Sequence, residues 1–350
     1  MKASFLKTVC AATVAVVLVG VTPTPAQAQA VITNGTGVAL GVNLEGHLNF
    51  GDGSIVPYNT GGAVGVAFLA DYASLGGFDG APLGVVWGDA TAPGCLCEGF
   101  GVAVTDAALV THSGFANISS DGGPNNLTPI SFASTASTAV STVELASLPG
   151  LEIVHDYHPS ASPSLYEAIV TITNNTGADL TNLRYKRVMD WDIPPTTFEE
   201  HVTLQGAGLG DLIDSCDNGF ETADATVDCF PFTFEDVNFV DAGPQDHGAL
   251  FTFGFGALAD GASKTFKIYY GAAASEALAL AALTAVGAEG IYSFGQNSST
   301  GFNDEVTFIF GFGGVGAPPI SVPEPASLLL LGNGLIGALV AQRYRSRRKK

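Results

Sequence analysis

The residue pattern predicts an all-β protein: a large antiparallel β-sandwich, supersandwich-like in its fullest form, with one short helix near 275–288. Three observations carry that expectation. Short apolar runs are cut repeatedly by Gly, Asn, Asp and Pro clusters, the punctuation of strands and tight turns. Where a run is long enough to show a period, the period is two. Ala168, Val170, Ile172 and Asn174 fall on one face, and Ile169, Thr171 and Thr173 on the other. Gly is abundant, at 44 of 350 residues, and Lys is scarce, a balance that fits an extracellular β protein better than a cytosolic helical one.

The elements follow in order. Residues 1–30 combine Lys2 and Lys7, an apolar run over 9–21, the breaker Thr22-Pro23-Thr24-Pro25 and the small-residue stretch Ala26-Gln27-Ala28-Gln29-Ala30. A basic start, a short apolar core and alanines two apart describe a secretory signal helix cut after Ala28 or Ala30. The Sec export machinery and signal peptidase are therefore expected partners. Residues 31–310 read as the extracytoplasmic domain, with a subdivision near 150. Its first half offers strands around 64–70, 84–87, 101–104 and 141–145, with turns at Asn34-Gly35, Asp52-Gly53, Asp79-Gly80 and Asp121-Gly122. In the second half, 151–157 and 166–173 read as a pair, and 183–191 continues after the turn Asn174-Asn175-Thr176-Gly177. Segments 251–255 and 265–270 read as a hairpin closed by Ala259-Asp260-Gly261. Ser275 is placed to cap the helix, whose Leu278, Ala281, Ala282 and Ala285 recur at helical spacing. Strands resume at 291–294 and 306–310, and 311–321 is a Gly/Pro linker.

The last segment has a different character. Val322-Pro323-Glu324-Pro325 is followed by an apolar run over 326–341 and then by Arg343, Arg345, Arg347, Arg348, Lys349 and Lys350. A helix over those 16 residues is roughly 24 Å long against a hydrocarbon core of ~30 Å, and Asn333 places a polar group mid-span. The basic cluster is a stop-transfer signal that keeps this end in the cytoplasm. The three parts resemble the PEP-CTERM sorting signal of Gram-negative bacteria. That resemblance implies an exosortase as partner, which removes such tails near the Pro-Glu-Pro motif, and an association with exopolysaccharide production. On this reading the transmembrane helix is a weak anchor because it is temporary. Residues 95–99, 151–159, 187–192, 217–220 and 246–250 also resemble the shared body of one group of PEP-CTERM proteins, a resemblance that implies membership and no activity.

Trimming both ends sharpens the charge. Only five of the 13 Lys and Arg lie within 31–320, facing 32 of the 33 Asp and Glu, so that segment carries −27. Such a field excludes nucleic acid as a partner, since phosphate contacts need cations. It disfavours acidic polysaccharide and anionic lipid unless divalent cations bridge the two.

Four cysteines remain after the signal: Cys95, Cys97, Cys216 and Cys229. An even count in an exported chain points to disulfides, with three pairings open. A Cys95–Cys97 bond closes a very small ring that is awkward in a strand, while Cys216–Cys229 would staple an acidic loop. That loop supplies Asp211, Asp214, Asp217 and Glu221, hard oxygens in the number calcium prefers, and a structural calcium is the one cofactor the sequence suggests. Asp190 and Asp192 flank Trp191 and share a strand face, a geometry suited to a metal or a sugar. His155 and His158, three apart, point to opposite faces of a strand. No nucleophile elbow, HExxH or P-loop is present. The expected function is noncatalytic: an exported surface or matrix protein, structural or glycan-associated, in exopolysaccharide or biofilm. The alternative is a glycan-active enzyme on a β-sandwich, with Glu98, Asp190 or Asp192 in a cleft walled by Trp87, Trp191, Tyr157 or Tyr166.

Overall fold

The computed structural model describes residues 29–74, 82–298 and 306–320. The signal helix, the turn Asp79-Gly80 and the sorting tail lie outside the described residues. The first strands are β1 (Ala30–Thr33), β2 (Val38–Val42), β3 (Val66–Ala70), β4 (Val86–Asp89), β5 (Gly99–Thr105), β6 (Thr111–Asn117) and β7 (Gly123–Asn125). They are followed by β8 (Leu127–Ser134), β9 (Ala139–Leu145), β10 (Leu148–Pro159), β11 (Leu165–Asn174) and β12 (Leu180–Trp191). Then come β13 (His201–Gln205), β14 (Leu212–Cys216), β15 (Phe239–Ala242), β16 (His247–Leu258) and β17 (Ser263–Ala273). Helix α1 (Glu276–Ala285), β18 (Tyr292–Gln296) and β19 (Thr307–Gly313) complete the described chain.

All strand pairings are antiparallel. They build a four-stranded sheet β1-β2-β3-β4, a nine-stranded sheet β15-β13-β18-β19-β17-β11-β10-β9-β8, and a six-stranded sheet β14-β16-β12-β5-β6-β7. The two larger sheets face each other through aromatic side chains. Phe251 and Phe253 of β16 meet Phe310 and Phe312 of β19, Tyr185 of β12 meets Phe266 of β17, and Phe100 of β5 meets the His155 ring of β10. One apolar core runs from Ala30 to Ala317 and draws on all three sheets, including both sides of position 150.

The expected pair 151–157 and 166–173 is present as β10 and β11, with Ile153 opposite Ile172. The expected hairpin over 251–270 is not a hairpin. β16 belongs to the six-stranded sheet and β17 to the nine-stranded one, so the turn at 259–262 carries the chain across the core. The two strands meet through side chains, Phe255 against Phe266 at 5.1 Å, rather than through backbone hydrogen bonds. Apolar inner faces explain the outcome: each strand buries more surface facing the other than lying beside it. The turn after β11 makes the same crossing to β12.

Helix α1 has its Ser275 cap, whose hydroxyl accepts the Leu278 N–H at 3.4 Å, but a different buried face. Ala279, Ala282 and Leu283 pack on Leu165, Tyr269, Phe294 and Ile309, while Leu278 is exposed. A helix of almost uniformly apolar residues has no face that its sequence singles out. β19 runs to Gly313, past the expected opening of the linker. Among the described residues no helix is long and apolar enough to cross a membrane.

Candidate functional site

β12 positions two contrasting groups of charges by its alternation. Tyr185, Met189 and Trp191 point into the core, and Arg187 lies on the same face; Lys186, Val188 and Asp190 point away from it. The outward face is roofed by the loop between Cys216 and Cys229, so both faces of the strand are dry.

On the inner face Arg187 donates from Nε to Glu98 Oε1, both side chains fully buried. Its Nη1 donates to Tyr185 Oη and its Nη2 to Tyr157 Oη, each at 3.2 Å. Tyr270 donates to Glu98 Oε1 at 3.2 Å, and the Leu48 N–H to Oε2 at 2.6 Å. His155 Nε2 lies 2.9 Å from Tyr185 Oη, and burial, reinforced by the Arg187 charge, holds its pKa well below the usual histidine range. His47 is pushed down to about 3, again by burial and then by Arg187. In this enclosed cluster Arg187 and Glu98 answer each other's charge and organise the core, while the buried Nδ1 atoms of His47 and His155 have no hydrogen-bond partner.

The other cluster lies where β12 ends against the start of β16. Asp190 sits opposite Gly248 and Trp191 opposite His247, so the next position along brings Asp192 beside Asp246. One oxygen from each of Asp190, Asp192 and Asp246 lies within 4.8 Å of the others. Asp190 is 1 % exposed and Asp192 fully buried, whereas Asp246 is open to solvent. Trp191 turns the other way and donates to Ser293 Oγ at 3.0 Å, which locks the strand end. Glu200 is also fully buried, and its Oε1 accepts the His247 N–H at 3.0 Å. Burial pushes Asp192 up to about 9, with Glu200, Asp246 and Asp89 adding like charge. Glu200 is pushed up to about 8, first by burial. Asp190 is raised by burial and then by Asp192 and Asp246. Cys95 Sγ lies 3.5 Å from Asp190 Oδ2, and a Cβ on Gly219 would sit 2.4 Å from Asp190 Cα, so only glycine lets that turn close over the strand. Oxygen-only, like-charged and partly open, the arrangement is chemically suited to a hard cation.

The four carboxylates expected to hold calcium are not brought together. Asp211 pairs with Lys264 at 3.1 Å. Asp214 accepts the Cys229 N–H at 3.0 Å, Asp217 accepts the N–H groups of Phe232, Thr233 and Phe234, and Glu221 accepts the Phe230 N–H. Their loop already has a cation: Lys186 reaches into it, donating to the carbonyls of Val227 at 2.6 Å and Thr222 at 3.4 Å. Charge density along a sequence marked the loop, but backbone donors and two lysines, Lys186 and Lys264, satisfy it.

The cysteines pair as Cys95–Cys97 and Cys216–Cys229, with Cα separations of 5.3 and 6.4 Å. The small ring is accommodated because residues 95–98 precede β5 as irregular chain rather than forming part of a strand. His155 and His158 point to opposite sides of β10, one buried against Tyr185 and the other 3.7 Å from Glu167. Trp191, Tyr157 and Tyr166 are fully buried, and Trp87 is half-buried. The signal in sequence for the carboxylate site was the Asp190-Trp191-Asp192 alternation; Asp246 had none, since strand pairing across 56 positions brings it in, and Glu200 had none, since it arrives by accepting the His247 N–H. Residues 95–99, 187–192, 217–220 and 246–250 all meet around this site.

A protein-family model described as PEP-CTERM protein-sorting motif matches residues 321–348. No curated protein matches the chain.

Proposed function

From a chain that carries a PEP-CTERM protein-sorting motif at its C-terminus, and is thereby an exported protein processed by exosortase and sorted to the cell surface, we propose a noncatalytic role. The β domain serves as a structural or glycan-associated component of the exopolysaccharide or biofilm matrix, on a sandwich scaffold of the supersandwich type. The observation that carries this reading is the way the folded domain meets the motif. Ile320 donates its N–H to Ala288 O at 3.0 Å, and Pro319 bridges to Glu289, so the chain is tied to the domain until two residues before Val322. Cutting near Pro323-Glu324-Pro325 would release the domain with every described residue through Ile320 in place.

The other end supports export in the same way. Ala30 is 5 % exposed and pairs with Val42, and Gln29 Nε2 donates to Asn43 Oδ1 at 2.8 Å. Signal peptidase cleavage after Ala28 keeps these contacts; cleavage after Ala30 would remove them. Two disulfides suit an oxidising compartment. The noncatalytic reading is supported by the burial of Trp191, Tyr157 and Tyr166 and by Glu98, locked to Arg187. Two surface concavities, one beside Thr105 and Arg184 and one beside Phe68 and Leu278, contain none of Glu98, Asp190 and Asp192.

The test is deletion of residues 322–350, followed by fractionation and terminal mass spectrometry. The intact chain should yield a surface protein that begins at Gln29 and ends near the Pro-Glu-Pro motif, while the deletion variant should escape surface retention. A surface protein still ending in Lys350 overturns the sorting reading. Release of reducing sugar from the host's own exopolysaccharide by the purified protein would overturn the noncatalytic one.

A further inference from the structure

Fully buried Asp192 has no hydrogen-bond partner at either carboxylate oxygen. Asp190 Oδ1 and Glu200 Oε2, on residues no more than 1 % exposed, are also unpartnered. Buried polar atoms are as a rule satisfied, and buried carboxylates most of all, because an unpaired charge in a dry site is costly. Asp190 and Asp192 meet Asp246 at one strand end, with Glu200 near enough to raise Asp192 further, a concentration of carboxyl groups with no lysine or arginine beside it; among its neighbours His247 bears on the open member, Asp246. The five lysines and arginines of the described chain are engaged or distant. Arg187 is bonded to Glu98, Lys186 to the carbonyls of Thr222 and Val227, Lys264 to Asp211 and Lys267 to Glu167. Arg184 lies six residues back along β12, roughly 20 Å away at strand rise.

We propose that Asp190, Asp192 and Asp246 bind one calcium ion where β12 ends against β16, with the Glu200 carboxyl nearby. The donor set is oxygen alone, which selects a hard cation over zinc or copper. Cys95, the sulfur nearest to Asp190, is tied in a disulfide and has no thiolate to offer. The three aspartate oxygens already lie within 4.8 Å of one another, close enough to share one ion whose metal–oxygen bonds run 2.3–2.6 Å. Asp246 provides the open edge by which the ion enters and water completes its shell; calcium accepts six to eight oxygens and tolerates that irregularity better than magnesium. The unpartnered aspartate oxygens are thus ligands facing inward rather than defects of packing. This inference stands apart from the noncatalytic reading, and either can fail alone.

The full-length exported protein, purified and treated with EGTA, is titrated with CaCl₂ and, separately, with MgCl₂ and ZnCl₂, reading heat and thermal midpoint. Calcium is expected to bind at one site per chain and raise the midpoint by several degrees, with magnesium weaker and zinc without effect at this site. Asp246→Asn, at a solvent-open position that leaves folding intact, should weaken calcium binding at least tenfold. Asp192→Asn should abolish the calcium-dependent rise. Asp211→Asn, in the loop neutralised by Lys186 and Lys264, should leave it unchanged. No calcium heat and no midpoint shift overturns the proposal, as does a shift that persists in both Asp192→Asn and Asp246→Asn. A response to zinc alone overturns the assignment to calcium, and retention of binding in Asp246→Asn with its loss in Asp211→Asn returns the site to the acidic loop.

Discussion

Arg187 and Asp192 lie five residues apart on the same run of chain, both fully buried, yet their surroundings are opposite in kind. Arg187 faces the core and is met by a carboxylate, three tyrosines and a carbonyl, so its charge is answered on every side. Asp192 emerges at the strand end and is met by Glu200, Asp190, Asp246 and Asp89, charges of its own sign. The difference teaches where a fold can leave charge unbalanced. Deep between two sheets no counter-ion can arrive, so the protein must supply its own. At the edge of a sheet, with Asp246 open to solvent, a counter-ion can come from outside.

That contrast can be broken or sharpened by experiment. The largest expected effect is on the paired side: Glu98→Ala strands the Arg187 guanidinium and should cost about 3–5 kcal/mol by chemical denaturation. A change under about 1 kcal/mol would mean that the ion pair is not what holds this part of the core. Next is the roof over the outer face. Cys216→Ser opens a bond between residues 13 apart and should cost about 3 kcal/mol, with Cys95→Ser costing about half as much because its ring is so small.

On the unpaired side the sign reverses. In chelator, burial holds Asp192 protonated up to about pH 9, an uptake of a proton that costs the fold stability above about pH 4, so Asp192→Asn should stabilise it by about 1–3 kcal/mol at pH 7; with calcium present the same substitution should destabilise it. The last effect is absent at neutral pH and grows on acidification. His47 is neutral in the fold, its pKa held to about 3 by burial and by Arg187, whereas the unfolded chain takes a proton near 6.5. The stability this provides is complete above pH 6.5 and is lost as pH falls from there toward 3, by about 1.4 kcal/mol per pH unit. Arg187, His155 and Glu45 are the other ionisable groups facing it. His47→Gln should flatten the acid limb of thermal midpoint against pH by one proton's worth; an unchanged slope would place the titration elsewhere.

Much of the fold was legible because strand signals are local. The alternation in 166–173 returned as β11 with Ala168, Val170 and Ile172 buried, and Ser275 caps α1 as its spacing implied. Which sheet a strand joins was not legible: β16 and β17 look like a hairpin in sequence because the turn residues between them are the same whether the chain doubles back or crosses the core. The site was half legible. Asp190 and Asp192 declare themselves by sitting two apart, but Asp246 joins them through the pairing of β12 with β16, and Glu200 through the N–H of His247. The acidic loop 211–228 misled for the same reason, since Lys186, more than 20 positions away, already answers it.

By itself the sequence determined the route of this protein and the periods of its strands, because cleavage signals, stop-transfer charge and two-residue alternation are properties of short segments read one at a time. Tertiary structure alone decided the sheet memberships, the cysteine pairing and the difference between an acidic loop that is neutralised and four acids that are not. Those depend on which distant residues share a dry space, and the free energy of a charge is set by what surrounds it there rather than by its neighbours along the chain.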